Sequence, residues 1–130
     1  MSKLRILVVD DELSNAEVLG MILDEEGFQV TTAGDGRQAL ERLQEAAPDL
    51  LITDYMMPGM SGVELARAVR QQPRFSNLPV LLMSGAAAST LSVHAQDFDT
   101  FLRKPFDIEA LLKAVQLLLT GPPGSPQSTV

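Results

Sequence analysis

LLITDYMMPGMSG, residues 50–62, holds an apolar run that ends on a carboxylate and is followed by a broken loop. Leu50, Leu51, Ile52 and Thr53 show no apolar-polar alternation, which predicts a short strand buried on both faces, as in a parallel sheet. The run stops at Asp54. Open α/β sheets bind ligands outside the carboxyl ends of their strands, so Asp54 is expected at the rim where chemistry can be done. The plainer reading is an Asp that only ends a strand. Pro58-Gly59 and Ser61-Gly62 break the chain just beyond it and leave a loop able to carry a site.

On either side, strand-like runs alternate with helix-period segments. Arg5–Val9 reads as the first strand. Leu13–Glu26 follows as a helix with Asn15, Val18, Leu19, Ile22 and Leu23 on one stripe and Gly27 as its stop. Phe28–Ala33 alternates as a strand should, and Gly34-Asp35-Gly36 is a turn. Arg37–Ala47 is a second helix with Ala39, Leu40 and Leu43 inward, closed by Pro48. Ser61 can cap a third, carrying Val63, Leu65, Ala66 and Val69. Pro79–Met83 is the fourth strand, Ala87–Ala95 a helix diluted by Ser and Thr, and Thr100–Arg103 the fifth strand. Asp107 then caps a last helix with Ile108, Leu111, Leu112, Val115 and Leu118 on one stripe. This alternation implies a (βα)5 doubly wound α/β domain, a five-stranded parallel sheet with right-handed crossovers and helices on both faces. Residues 1–120 are expected to form that domain. Residues 121–130, GPPGSPQSTV, lack charge and period and read as a disordered tail or the start of a linker.

A chain of 130 residues fits one domain with a real core. Hydrophobic content of 45% and a mean hydropathy of +0.11 argue for a globular, soluble protein. No apolar run approaches the roughly 18 residues that a membrane span needs. The start, MSKLRILVVDD, has no signal-peptide pattern. The chain has no Cys, which excludes disulfides and thiolate metal sites and makes a reducing cytoplasm the simplest expectation. A net charge of −7 argues against direct binding of nucleic acid or of an anionic membrane by this chain, because phosphate recognition needs clustered Lys and Arg.

The predicted strands bring their carboxyl ends to one rim. Asp10 and Asp11 sit at the first, Asp54 at the third, Ser84 at the fourth and Lys104 at the fifth. Each has a bland alternative: Asp11 as a helix cap, Ser84 as a turn hydroxyl, Lys104 as a solvated lysine. Their joint placement on one side favours a site. Three carboxylates packed together repel unless a cation neutralises them. With oxygen ligands only, Mg²⁺ is the natural choice, with Mn²⁺ as a substitute. The single histidine, His94, falls in the diluted helix and reads as a surface or packing residue. An ammonium and a hydroxyl beyond Asp54 suit an anionic oxygen group, and an Asp carboxylate can itself attack phosphorus to form an aspartyl phosphate. No GxxxxGK[ST] loop is present, so ATP is not the expected donor.

Four motifs now stand in order: VVDDE (residues 8–12), TDYMMPGMSG (53–62), LMSG (82–85) and FLRKPF (101–106). Over Lys3 to about Leu119 the chain resembles the receiver domain of bacterial two-component response regulators, the chemotaxis-type fold. That resemblance implies a flavodoxin-like strand order 2-1-3-4-5. It implies Asp54 as the phosphoacceptor, Asp11 as a direct metal ligand, Asp10 as a ligand mainly through water, and the Met56 backbone carbonyl as a further oxygen. Ser84 would be the switch hydroxyl, Lys104 its cationic partner, Lys104-Pro105 a cis peptide and Phe101 an aromatic that moves with Ser84; core filling is the other role open to Phe101. A histidine kinase or phosphotransfer protein would donate the phosphoryl group. The response would be a signalling switch, with a downstream protein docking on the face formed by the fourth helix, fifth strand and last helix.

The chain departs from the family between Ser84 and Lys104, which is slightly short and carries Asp97-Phe98 where Gly-Ala is common. The expectation is a shortened or displaced helix there, with Phe98 turned inward. Two other functions compete: a scaffold that works without phosphorylation, and a Mg²⁺-dependent phosphatase. The intact acids, Ser84 and Lys104 oppose the first. Met56, standing where such phosphatases commonly place a second acid, opposes the other.

Overall fold

The computed structural model describes residues 3–85 and 96–120. Five parallel strands, β1 (Arg5–Val9), β2 (Gln29–Ala33), β3 (Leu50–Asp54), β4 (Val80–Ser84) and β5 (Thr100–Arg103), form one sheet in the order β2-β1-β3-β4-β5. Four helices accompany them among the described residues: α1 (Leu13–Glu25), α2 (Gly36–Glu45), α3 (Gly62–Arg70) and α4 (Ile108–Thr120). None of these helices is long and apolar enough to cross a membrane. The expected helix over Ala87–Ala95, His94 within it, and the tail 121–130 lie outside the described residues.

The central strands are buried on both faces because alternate side chains feed two separate apolar layers. Leu7, Val9, Leu51 and Val80 pack with Ala39 and Leu43 of α2 and Leu65, Ala66 and Val69 of α3. Ile6, Val8, Leu50, Ile52, Leu81 and Met83 pack with Ala16, Leu19 and Leu23 of α1 and Leu111, Ala114 and Val115 of α4. A smaller cluster joins Val63 and Leu82 to the half-buried Tyr55, Phe98 and Phe101. Phe98 also touches the first layer, so it turns inward as the sequence suggests.

Two helix faces differ from the sequence reading. In α1 the inward residues are Ala16, Leu19 and Leu23, whereas Asn15 is exposed and Val18 is 55% exposed. Small residues draw α1 onto the sheet: a Cβ added at Gly20 would lie 3.6 Å from Val30 Cγ1. An apolar stripe counted from large residues alone is therefore rotated from the true contact face. In α4, Leu111, Ala114 and Val115 face inward and Ile108, the first helical residue, is 54% exposed.

The caps expected at Ser61 and Asp107 are present, and Asp35, read from the sequence only as part of a turn, is a further one. Asp35 caps α2 by accepting the Gln38 N–H at 2.8 Å, and Asp107 accepts the Ala110 N–H at 2.7 Å at the start of α4. Ser61 and Glu64 form a capping box on α3, satisfying two donors that would otherwise be orphaned. Gly62 opens α3 against β3: its N–H donates to the Tyr55 carbonyl at 2.8 Å, and a Cβ there would come within 2.2 Å of the Asp54 carbonyl oxygen. Only glycine fits that approach.

Candidate functional site

The carboxyl edge of the sheet gathers the polar residues that the core excludes. Asp10 leaves β1 with its N–H still donating to the Ala33 carbonyl at 3.1 Å, and its side chain is 1% exposed. Asp10 Oδ1 accepts the Glu12 N–H at 2.9 Å. Glu12 itself occupies the cap position of α1 without a side-chain cap bond, so Asp11 is not that helix's cap and its exposed carboxylate is left for other duty. Asp54 ends β3 and is 8% exposed. Tyr55, next in the chain, donates its N–H to the Met83 carbonyl at 2.8 Å, which holds the end of β3 against β4.

Ser84 ends β4 and is buried. The Lys104 N–H donates to the Ser84 carbonyl at 2.8 Å, so the lysine leaves β5 directly beside the serine. The Lys104-Pro105 peptide is cis. The lysine side chain spans the rim: Nζ lies 3.1 Å from Asp54 Oδ1 and 3.8 Å from Asp10 Oδ2. One carboxylate oxygen each from Asp10, Asp11 and Asp54 lies within 4.8 Å of the others.

The electrostatics of the cluster are unbalanced. At an effective dielectric of about 20, like charges 4.8 Å apart repel by about 3.5 kcal/mol, and the Lys104–Asp54 pair attracts by about 5 kcal/mol. Burial pushes the Asp54 carboxyl above its ordinary range. The Lys104 hydrogen bond and charge pull it back, Asp10 and Asp11 raise it again, and the net direction is upward. Three carboxylates against one ammonium leave two negative charges. Asp10 Oδ2 is moreover buried with no hydrogen-bond partner, which is costly in a protein interior. A hard divalent cation answers both deficits, and an oxygen-only donor set suits Mg²⁺. These residues fit the ion.

The structure thus brings together Asp10, Asp11, Asp54 and Lys104, with Ser84 at the adjoining strand end. Met56 lies in the loop after β3 and is 70% exposed. Phe101 is two residues back along β5 from Arg103, half-buried over Val63 and Leu82. A cleft of about 510 Å³ opens beside Asp10 and Lys104, walled by Val18, Leu19 and Phe106. The sequence reading missed an ion-pair network behind the site, in which Arg67 meets Asp97 at 3.0 Å and Arg70 meets Asp99. The available signal was two arginines one turn apart on α3, matched by two aspartates spaced by two just before β5.

A doubly wound domain of order 2-1-3-4-5, with an acidic, lysine-bearing pocket at its carboxyl edge, defines the class: a flavodoxin-like receiver module. Residues 6–116 match the family described as response regulator receiver domain. The chain belongs to that family. Among curated relatives, the phosphate regulon transcriptional regulatory protein PhoB of Rhizobium meliloti is 39% identical over 117 residues, covering 88% of this chain and 52% of that protein. The DNA-binding response regulator MtrA of Mycobacterium tuberculosis is 38% identical over 118 residues, with 88% and 50% covered. The chain spans about half the length of these relatives. The Vibrio cholerae chemotaxis protein CheY4 superposes with a TM-score of 0.87 at 34% identity, covering 91% of this chain and all of that one. TrrA of Thermotoga maritima, solved in complex with Mg²⁺ and BeF, gives 0.80 at 34% identity, with 89% and 99% covered.

Proposed function

We propose that this receiver domain takes a phosphoryl group from a phosphohistidine onto Asp54, with Asp10, Asp11, the second Asp54 oxygen and the Met56 backbone carbonyl holding Mg²⁺. The observation that carries the proposal is the Lys104 ammonium 3.1 Å from Asp54 Oδ1, on a rim where three carboxylates converge within 4.8 Å. One Asp54 oxygen attacks phosphorus, forming the new O–P bond as the N–P bond to the donor imidazole breaks, and the electron pair leaves with the imidazole. When bound between these oxygens, Mg²⁺ (or Mn²⁺) would supply positive charge for the transferred group. Lys104 exchanges its carboxylate partner for a phosphoryl oxygen, and the Ser84 hydroxyl donates to another. Water later cleaves the acyl phosphate and restores the carboxylate, so the domain catalyses only its own transfer and dephosphorylation.

The output is a shift between two conformations, driven by contacts that Ser84 and Lys104 make only when the phosphoryl group is present. Phe101, packed over Val63 and Leu82, follows Ser84 and changes the face that carries β5 and α4, where a downstream protein docks. The donor is a histidine kinase or phosphotransfer protein, and the domain works in the cytoplasm. With a net charge of −7 it makes no nucleic-acid contact of its own; MtrA, named a DNA-binding response regulator, is matched over only half of its length. Residues 1–120 are the working unit and residues 121–130 a linker or tail.

The test is intact mass after incubation with Mg²⁺ and acetyl phosphate. The wild-type chain gains one phosphoryl group, lost on hydroxylamine treatment, and Asp54→Asn gains none. An equal gain by the variant would remove Asp54 as the acceptor.

A further inference from the structure

We propose that Arg70, at the far end of α3 from the site, is a positioning residue that sets the height of β5 and hence of Lys104 over Asp54; the inference rests on the reading of Asp54 as acceptor. The Arg70 guanidinium donates to the Leu78 carbonyl at 3.1 Å, to the Gln96 carbonyl at 3.4 Å and to the Asp99 carboxylate. That same Asp99 oxygen accepts the Val80 N–H at 2.7 Å, while the Asp99 N–H donates to the Val80 carbonyl at 2.9 Å. One turn earlier Arg67 holds Asp97 at 3.0 Å, and between the two aspartates Phe98 packs into both neighbouring apolar clusters. The short segment entering β5 is therefore sewn both to α3 and to the first residue of β4.

From that anchor β4 and β5 run in fixed register, Leu81 beside Thr100 through Ser84 beside Arg103, and deliver Ser84 and Lys104 to the rim together. The other end of α3 is tied to the site through the Gly62 bond to the Tyr55 carbonyl. α3 thus acts as a bar, one end against the Asp54 backbone and the other gripping the entry to the strands that carry Ser84 and Lys104. β5 needs such a grip. It is the edge strand, four residues long, half-buried to exposed throughout, whereas β3 and β4 are buried along their whole length. An exposed ion pair alone is worth little. A guanidinium fork fixed by three acceptors on two segments is a different object, because its planar donors hold several partners in one geometry. Asp10 and Asp11 follow β1 and Asp54 ends β3, all outside this grip, so the acid pocket should not feel its loss.

The test compares Arg70→Ala, Arg70→Lys and Asp99→Asn with the wild-type chain, using Arg42→Ala as control because, among the described residues, Arg42 pairs with Glu45 of its own helix at the surface. Three quantities are read: the labelling rate with acetyl phosphate in Mg²⁺, the Mg²⁺ affinity, and hydrogen exchange of the Lys104 amide that bonds Ser84. Arg70→Ala should slow labelling about three- to tenfold, as small misplacements of a reacting group do. It should leave Mg²⁺ affinity within a factor of about two and speed Lys104 exchange. Asp99→Asn, which keeps an acceptor for the Val80 N–H, should match it, and the double variant should be no worse than either single one. Arg70→Lys should recover part of the rate, and Arg42→Ala should change nothing. Labelling at the wild-type rate, or Mg²⁺ affinity falling in step with it, overturns the inference. If the wild-type chain itself is not labelled, the reading of Asp54 falls, and unchanged Lys104 exchange in Arg70→Ala then overturns the positioning role independently.

Discussion

Replacing Asp54 with asparagine should make the cation-free protein more stable, although it removes an ion pair. Asp54 is almost fully buried, and burial is the main cause of its raised carboxyl; the Lys104 hydrogen bond and charge at 3.1 Å outweigh the repulsion from Asp10 and Asp11 but not the loss of hydration. On the Coulomb scale used above, the Lys104 attraction of about 5 kcal/mol exceeds either repulsion of about 3.5 kcal/mol, so desolvation decides the sign. The desolvation cost adds to the repulsive side, and exposure of Asp11 weakens its share. A net gain of about 1–2 kcal/mol is expected for Asp54→Asn in EDTA at neutral pH, or a rise in Tm of about 3–8 °C for a domain of this size. The sign with pH follows from the raised folded-state value. Ionised Asp54 destabilises the fold at pH above that value; the stability belonging to the protonated form is complete below the ordinary carboxylate value of 3.8 and is lost as pH rises through the folded one. The advantage of asparagine should therefore be full at neutral pH and vanish on acidification. Mg²⁺ at about a hundredfold over its Kd should return about 2.7 kcal/mol to the wild-type chain and close or reverse the gap. Thermal melts followed by circular dichroism, with EDTA and with Mg²⁺, decide the matter. A variant that melts at or below wild type in EDTA would mean that Lys104 already compensates the pocket, and the argument for a missing cation would fail.

Lys104→Ala should leave Mg²⁺ binding intact or tighter, since it removes a competing positive charge, while slowing acetyl phosphate labelling by about tenfold or more; titration calorimetry and intact mass give the two numbers, and parallel loss of both would count against the assigned role. Gly62→Ala should cost about 2–4 kcal/mol in urea unfolding, because its Cβ would sit 2.2 Å from the Asp54 carbonyl oxygen and α3 would have to back away from β3. The same variant should slow labelling, since the displaced backbone belongs to Asp54 itself, and a neutral result in both assays would contradict the packing described here.

Much of this was legible in the chain because the signals were redundant. Leu50–Thr53 is apolar on both faces, and that pattern predicts a central parallel strand; β3 is buried at every position. Ser61 reads as a helix cap, and it caps α3, with Glu64 completing a capping box that the sequence reading did not name. Asp10, Asp54, Ser84 and Lys104 could be placed because each follows directly on a run whose register is unambiguous. A count of large apolar residues located Leu19 and Leu23 but misplaced Asn15 and Val18, because Ala16 and Gly20 help set the face of α1 and neither looks hydrophobic enough to do so. The Arg70–Asp99 grip was illegible for another reason. Its partners are 29 residues apart, and nothing local in either segment says that the end of a helix and the entry of an edge strand will meet.

The two halves of the site differ in how they are held. Asp10 and Asp54 end β1 and β3, strands in the interior of the sheet whose apolar residues are buried against helices on both sides. Their positions are fixed by the core, so the repulsion between them persists as a standing demand for a cation. Lys104 ends the edge strand, which packs less and hangs on hydrogen bonds to Val80 at one end and Ser84 at the other. A rigid acid pocket beside a less buried cation arm is the combination a switch requires. In the proposed cycle the pocket keeps its ion, while a new anion at Asp54 needs only to move the arm. The energy for that movement comes from contacts the anion makes in one position of β5 and not in the other, and the stiffness opposing it is set at the far end of the strand, where Arg70 grips Asp99.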